Sequence, residues 1–190
     1  MKNTILRMVE VTVLFISLTF VAVGADASKV ISFTFGMEGD KLDKSSNHSR
    51  YGVSKETIKR YNKYYGTSYT VSTLTKSQAY TIAKTLYYDK YNIGKIHDNK
   101  LAIAIFDFMY NSNPTTAAKK IEKAAVSVGV KNIKIDGKLT ISELNEINKC
   151  NTDNLANKIC DSRLSYMKSL KVWKKYKNGW TKRVISIKKM

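Results

Sequence analysis

Residues 101–111 are apolar at almost every position, and this run constrains the fold more than any other. A helix that is apolar all round has no face to give to water, so it belongs at the centre with other elements packed around it. One residue breaks the run. Asp107 is a carboxylate inside an apolar helix, and a charge placed there must find a partner. Two readings of it stand: a buried structural acceptor, or part of a working site.

The rest of the chain supplies helices to surround that centre. The apolar residues 30–37 read as a short helix with one buried face. Residues 40–50 are polar, with Ser45, Ser46 and Asn47 as turn formers, and read as a loop or small hairpin. Ser54 caps a helix that runs to Tyr65 and closes at Gly66. Thr75 and Gln78 make a capping box, and the helix they open carries Ala79, Ile82, Ala83, Leu86 and Tyr87 on one face. Asn113 and Pro114 start another, and Thr140 with Glu143 a further one. The last helix carries Leu155, Ile159, Leu164 and Met167, and Trp173 and Trp180 anchor the tail. The expected fold is helix-dominated (mainly α, or α+β), with at most one small β-hairpin.

Charge narrows the partners. The chain holds 33 Lys and Arg against 15 Asp and Glu, a net charge of +18. Such a balance suits a polyanion: nucleic acid, an anionic membrane, or the acidic polymers of a bacterial envelope. The N-terminus separates these. Lys2 and Arg7 precede a mostly apolar stretch at residues 11–23, and Ala25-Asp26-Ala27 offers an Ala-x-Ala cleavage pattern. This leader is either a cleaved export signal or an uncleaved inner-membrane tether. Both put the working domain in the periplasm or outside the cell, which disfavours nucleic acid. Cys150 and Cys160 stand either as a hairpin staple or as two separate thiols. The two Cys and two His are too widely spaced for a zinc pattern, so no metal is expected.

The sequence holds no Gly-rich phosphate loop, dinucleotide fingerprint, Gly-x-Ser-x-Gly elbow or His-Glu-x-x-His. Carboxylate chemistry remains, and no cofactor is implied. Glycoside hydrolysis needs a proton donor beside the leaving oxygen and usually a second polar or anionic group. Glu38 follows Phe33, Phe35 and Met37 at the end of the first short helix. That setting suits a donor, because partial burial favours the protonated form of a carboxyl group.

The order of motifs resembles glycoside hydrolase family 108, the N-acetylmuramidases of lysozyme-like fold. Met37-Glu38-Gly39-Asp40 is similar to the Glu-Gly-Gly opening of that family. Ser49-Arg50-Tyr51-Gly52-Val53-Ser54 resembles its Thr-Asn-x-Gly-Ile-Thr turn, and residues 106–113 resemble its Phe-Asp-x-x-x-Asn-Ser-Gly helix end. Asp136-Gly137, Cys160-Asp161-Ser162-Arg163-Leu164 and Gly179-Trp180-x-x-Arg183-Val184 fit the C-terminal motifs. The family's Asp-rich loop has become Asp43-Lys44-Ser45-Ser46-Asn47.

The resemblance implies a leader at residues 1–27, a lysozyme-like catalytic half at 28–113, and a helical peptidoglycan-binding-like half at 114–190, packed as one unit. It implies cleavage of the β-1,4 bond between N-acetylmuramic acid and N-acetylglucosamine by a monomer. Glu38 is then the general acid, with Asp43 or Ser49 assisting. Arg50, Tyr51, Gly52, Asp107, Tyr110 and Asn111 form the substrate groove. The partners are peptidoglycan glycan strands and anionic envelope polymers. The rival is a non-catalytic peptidoglycan-binding or secretion-associated protein.

Overall fold

The computed structural model describes residues 24–39 and 49–190. Most of the leader pattern and the loop holding Asp43 lie outside them. The axis of the fold is α4 (Asn99–Tyr110), capped by the Asp98 carboxylate, which accepts the Leu101 N–H at 2.7 Å. Every residue from 101 to 110 is buried, Asp107 included. Three helices pack directly on α4: α1 (Ala27–Glu38), α5 (Pro114–Ser127) and α7 (Thr152–Lys168). A further helix, α8 (Trp173–Lys188), lies along α7 and also reaches α4. The apolar core is continuous through all of them.

The capping signals form as the sequence dictates. Ser54 accepts the Thr57 N–H at the start of α2 (Lys55–Tyr65), and Gly66 ends it in the left-handed region. Both bonds of the Thr75–Gln78 box are present at α3 (Lys76–Ala83), as are both of the Thr140–Glu143 box at α6 (Ile141–Ile147). Asn113 caps α5 with Pro114 in its first turn. The expected continuation of α3 through Leu86 and Tyr87 occurs, but the helix widens into a π-helical stretch at Lys84–Asp89. At the other end of the chain's first helix, Asp26 caps α1, Ala25 is buried, and the Ala25 N–H bonds the Ile96 carbonyl at 2.6 Å.

The small hairpin consists of β1 (Ser49–Arg50) and β2 (Val53–Ser54), antiparallel, with Ser49 opposite Ser54 and Arg50 opposite Val53. Its two turn residues, Tyr51 and Gly52, have φ of 54° and 75°. Positive φ at both positions is what a two-residue type I′ turn requires. At Tyr51 that conformation costs about 1–2 kcal/mol. Its carbonyl accepts the Tyr110 hydroxyl at 2.9 Å and its ring stacks on Phe35, which together hold it there.

The tail corrects the sequence reading. Trp173 and Trp180 belong to a full helix, α8, not to an anchor beyond the last one. Its local signals are poor: Gly179 lies in its middle, and no side chain caps its start. It forms because Val184 and Ile187 bury against the core and Arg183 finds charged partners there.

Between α5 and α6 a loop is held by carboxylates. Glu122 has no exposed surface, and its two oxygens accept the Gly137 N–H at 3.0 and 2.9 Å. Burial raises the Glu122 pKa and the Gly137 bond offsets only part of that. Gly137 has φ of 86°, and a Cβ there would lie 2.7 Å from the Thr115 methyl group. Cys150 and Cys160 are both free thiols; burial pushes Cys160 up to about 11. Among the described residues no helix is long and apolar enough to cross a membrane.

Candidate active site

Glu38 is the last residue of α1. Gly39 turns the chain away with φ of 73°, its N–H still bonded to the Phe35 carbonyl at 3.0 Å. The hairpin packs against the Glu38 stem: a Cβ on Gly52 would lie 2.9 Å from Glu38 Cγ and 2.8 Å from the Tyr110 ring. Only glycine satisfies both that approach and the positive φ.

The Glu38 side chain is 22% exposed, and its carboxylate accepts a hydrogen bond from Arg183 at 2.5 Å. The surroundings are therefore charged, where the sequence suggested an apolar pocket from Phe33, Phe35 and Met37. Phe35 packs instead on Tyr51 and Tyr110. Arg183 is itself nearly buried and shared. Its Nε and second terminal nitrogen donate to the two oxygens of Asp107 at 2.8 and 2.6 Å. Arg163 donates to the same carboxylate, and Thr34 adds its hydroxyl at 2.7 Å. The result is a chain of four alternating charges, Arg163–Asp107–Arg183–Glu38, drawn from α7, α4, α8 and α1.

Burial alone would raise the Asp107 pKa, but the charges and hydrogen bonds of Arg163 and Arg183 overcome it. They hold the group well below the usual carboxylate range. The Arg183 pKa is lowered by burial and raised by more through Asp107 and then Glu38. Burial, and next the charge of Glu38, lift the Tyr110 hydroxyl well above its ordinary value.

A cavity of about 160 Å³ opens beside Glu38, lined also by Asn111, Ser112, Tyr166, Trp180, Arg163 and Arg183. A second, more open hollow of about 390 Å³ is lined by Phe35, Gly39, Tyr51 and Lys76 on the hairpin side. Among the described residues that line the cavity, Glu38 is the only carboxylate.

The sequence-derived site residues separate into groups. Glu38 and Asn111 meet at the cavity, and the Asn111 amide donates to the Asp107 carbonyl at 3.0 Å. Asp107 corrects the reading of a groove contact: it has no exposed surface and acts on the site through its arginines. Tyr110 is also buried, and its hydroxyl fixes the hairpin turn. Ser49 is half-buried at the start of β1. Arg50 bonds the Ser72 carbonyl at 3.1 Å and lies over the Tyr51 ring, so it braces the hairpin on its outer side. Asp43 lies outside the described residues.

Arg163, Arg183 and Trp180 belong to the C-terminal motifs, and the structure brings all three to the cavity. One signal for the first two was available. Only five of the 33 basic residues are Arg. Where a chain this rich in Lys uses Arg, the planar fork that grips a carboxylate at two points is the property that distinguishes it.

The helix-dominated fold with one small hairpin and the similarity to known proteins place the chain with glycoside hydrolases of the lysozyme type, a class that hydrolyses peptidoglycan. Residues 31–112 match the family model Glycosyl hydrolase 108. A solved structure titled "Structure of Brucella abortus SagA" is similar to this chain at 25% identity and a TM-score of 0.70. The similarity covers 86% of this chain and 91% of that one. A search of curated proteins gives no match.

Proposed function

We propose that the protein is an N-acetylmuramidase, which hydrolyses the β-1,4 bond between N-acetylmuramic acid and N-acetylglucosamine in peptidoglycan. Glu38 gives its proton to the leaving oxygen. The observation that carries this reading is the position of Glu38, at the end of α1 within the family-matched region and the one carboxylate among the described residues lining the cavity. As the proton leaves, negative charge develops on the Glu38 carboxylate, and a guanidinium already aimed at it stabilises that charge without rearranging. Asp107 keeps the guanidinium in place. Asp43 or Ser49 serves the opposite face of the sugar, placing water or balancing the oxocarbenium charge.

Anionic envelope polymers attract the net charge of +18, and the enzyme works beyond the cytoplasmic membrane. Of the two leader readings, retention as a tether is supported by the Asp26 cap, because a cut after Ala27 removes it.

A second reading, a peptidoglycan-binding protein without turnover, is favoured by the lack of a second carboxylate among the described residues lining the cavity. Digestion of purified peptidoglycan by the wild type and by Glu38→Gln separates the two. The muramidase releases fragments ending in reducing muramic acid, and the variant releases none. If the wild type also releases none while both proteins pellet with the wall, the chain binds without cleaving.

A further inference from the structure

The face of α8 that leads away from the cavity is aromatic and strongly basic. Trp180 lines the Glu38 cavity and at the same time stacks on Tyr176, with ring centroids 5.4 Å apart and planes 24° apart. Trp173 lies 6.2 Å from Trp180. Residues 173, 176 and 180 fall on one side of a helix. From Trp173 to Trp180 the helix rises about 10 Å, so the aromatic surface continues well past the cavity mouth.

This surface is only partly covered, for both Trp side chains touch the core and keep exposed area. Tyr176 is 43% exposed, Val172 is 48% exposed, and both Trp rings are half-buried. A ring that served only to pin α8 to the core would be covered by it. The buried residues of α8 are instead Arg183, Val184 and Ile187.

The charge carried by α8 and the residues flanking it is of one sign. Residues 162–190 hold ten Lys and Arg and no Asp or Glu. Lys177, four residues after Trp173, falls on the side of the rings, and the Lys175 ammonium lies 5.0 Å from the Tyr176 ring centre. Flat aromatic faces receive the apolar faces of pyranose rings, and ammonium groups beside them receive carboxylates. A polymer of sugar rings carrying carboxylate substituents matches both. The cavity of about 160 Å³ is also smaller than typical ligand sites of about 300–1,000 Å³. A glycan longer than one or two groups must therefore continue on some surface outside it.

We propose that Trp180, Tyr176 and Trp173 form a sugar-stacking face that carries the glycan strand out of the Glu38 cavity along α8, with Lys175 and Lys177 beside it holding its carboxylates. The choice of glycan rests on the muramidase reading; the path along α8 rests on continuity with the cavity.

The chain's two Trp residues are both on this face, so intrinsic Trp emission reports on it alone. The probe is a peptide-free hexasaccharide of alternating N-acetylglucosamine and N-acetylmuramic acid, titrated into the full chain carrying Glu38→Gln to prevent turnover. The emission shifts on binding, Tyr176→Ala weakens the affinity about tenfold, and Tyr176→Phe retains it; truncation of a stacked aromatic anchor has effects of this size. With Glu38 intact, Tyr176→Ala raises KM for long strands and leaves kcat close to wild type. Two results overturn the inference: emission that ignores the hexasaccharide, or Ala and Phe variants that bind alike. Emission that responds to phosphatidylglycerol vesicles and not to the hexasaccharide also overturns it, because the face then seeks lipid. If the strand binds through these rings while the wild type releases no reducing ends, this inference stands and the muramidase reading falls.

Discussion

Asp107 and Glu122 are both carboxylates with no exposed surface, and they behave in opposite ways. Asp107 faces two guanidinium groups and a hydroxyl, and its pKa falls. Glu122 faces the backbone N–H of Gly137, and its pKa rises. Burial disfavours the charge at both. A cationic partner in direct contact reverses the outcome and a neutral donor does not. The first group is thus a fixed charge from which Arg183 can be aimed at Glu38. The second fastens a loop in the other part of the chain. Cys160 marks the boundary between these cases: Arg163 lowers its pKa through charge alone, and burial still wins.

Asp107→Asn tests the comparison most severely. It leaves two buried guanidinium groups short of a counter-charge, and breaking such a pair costs about 3–5 kcal/mol. Urea denaturation at neutral pH measures it, and a loss below about 1 kcal/mol would mean that the arginines find other partners. Arg183→Lys is next. A lysine keeps the charge but cannot hold Asp107 at two points while reaching Glu38. Peptidoglycan digestion is expected to fall about 10–100-fold, equivalent to about 1.4–2.7 kcal/mol of transition-state stabilisation. Equal activity in the Lys variant would show that the fork is dispensable.

Glu122→Gln has the smallest effect, about 1 kcal/mol or less, because the amide oxygen still accepts the Gly137 N–H. Its signature is in the pH dependence. Glu122 is protonated more readily when folded, so its contribution is complete below the unfolded pKa and is lost as pH rises through the folded one. Asp107 has the opposite sign: its contribution is present above the unfolded pKa and is lost as pH falls toward the folded one. Stability measured across pH for wild type, Glu122→Gln and Asp107→Asn should show each variant losing one slope and keeping the other.

Much of the fold could be read locally. The apolar run of α4 and the caps at Ser54, Thr75, Asn113 and Thr140 are short-range signals, and each stands where the sequence put it. What escaped was long-range. Arg183 lies 145 residues from Glu38 and 76 from Asp107, and no periodicity connects them. α8 escaped for the same reason, since Gly179 and the missing cap weaken it alone, and its order comes from the core it meets. Asp107 was legible as a residue needing a partner, but the sequence did not say that the partner would be two arginines. The place of Glu38 at the end of a short first helix was legible locally, and its charged surroundings were not.

The span from Glu38 to Arg183 also sets a schedule. A ribosome adding about 5–20 residues per second makes α1 on the order of ten seconds before it makes the arginine that completes the site. Until then Asp107 lacks one of its two guanidinium partners, and the Glu38 carboxylate has nothing to steady it. On the muramidase reading, a hydrolase that needs Arg183 stays idle until α8 has been made.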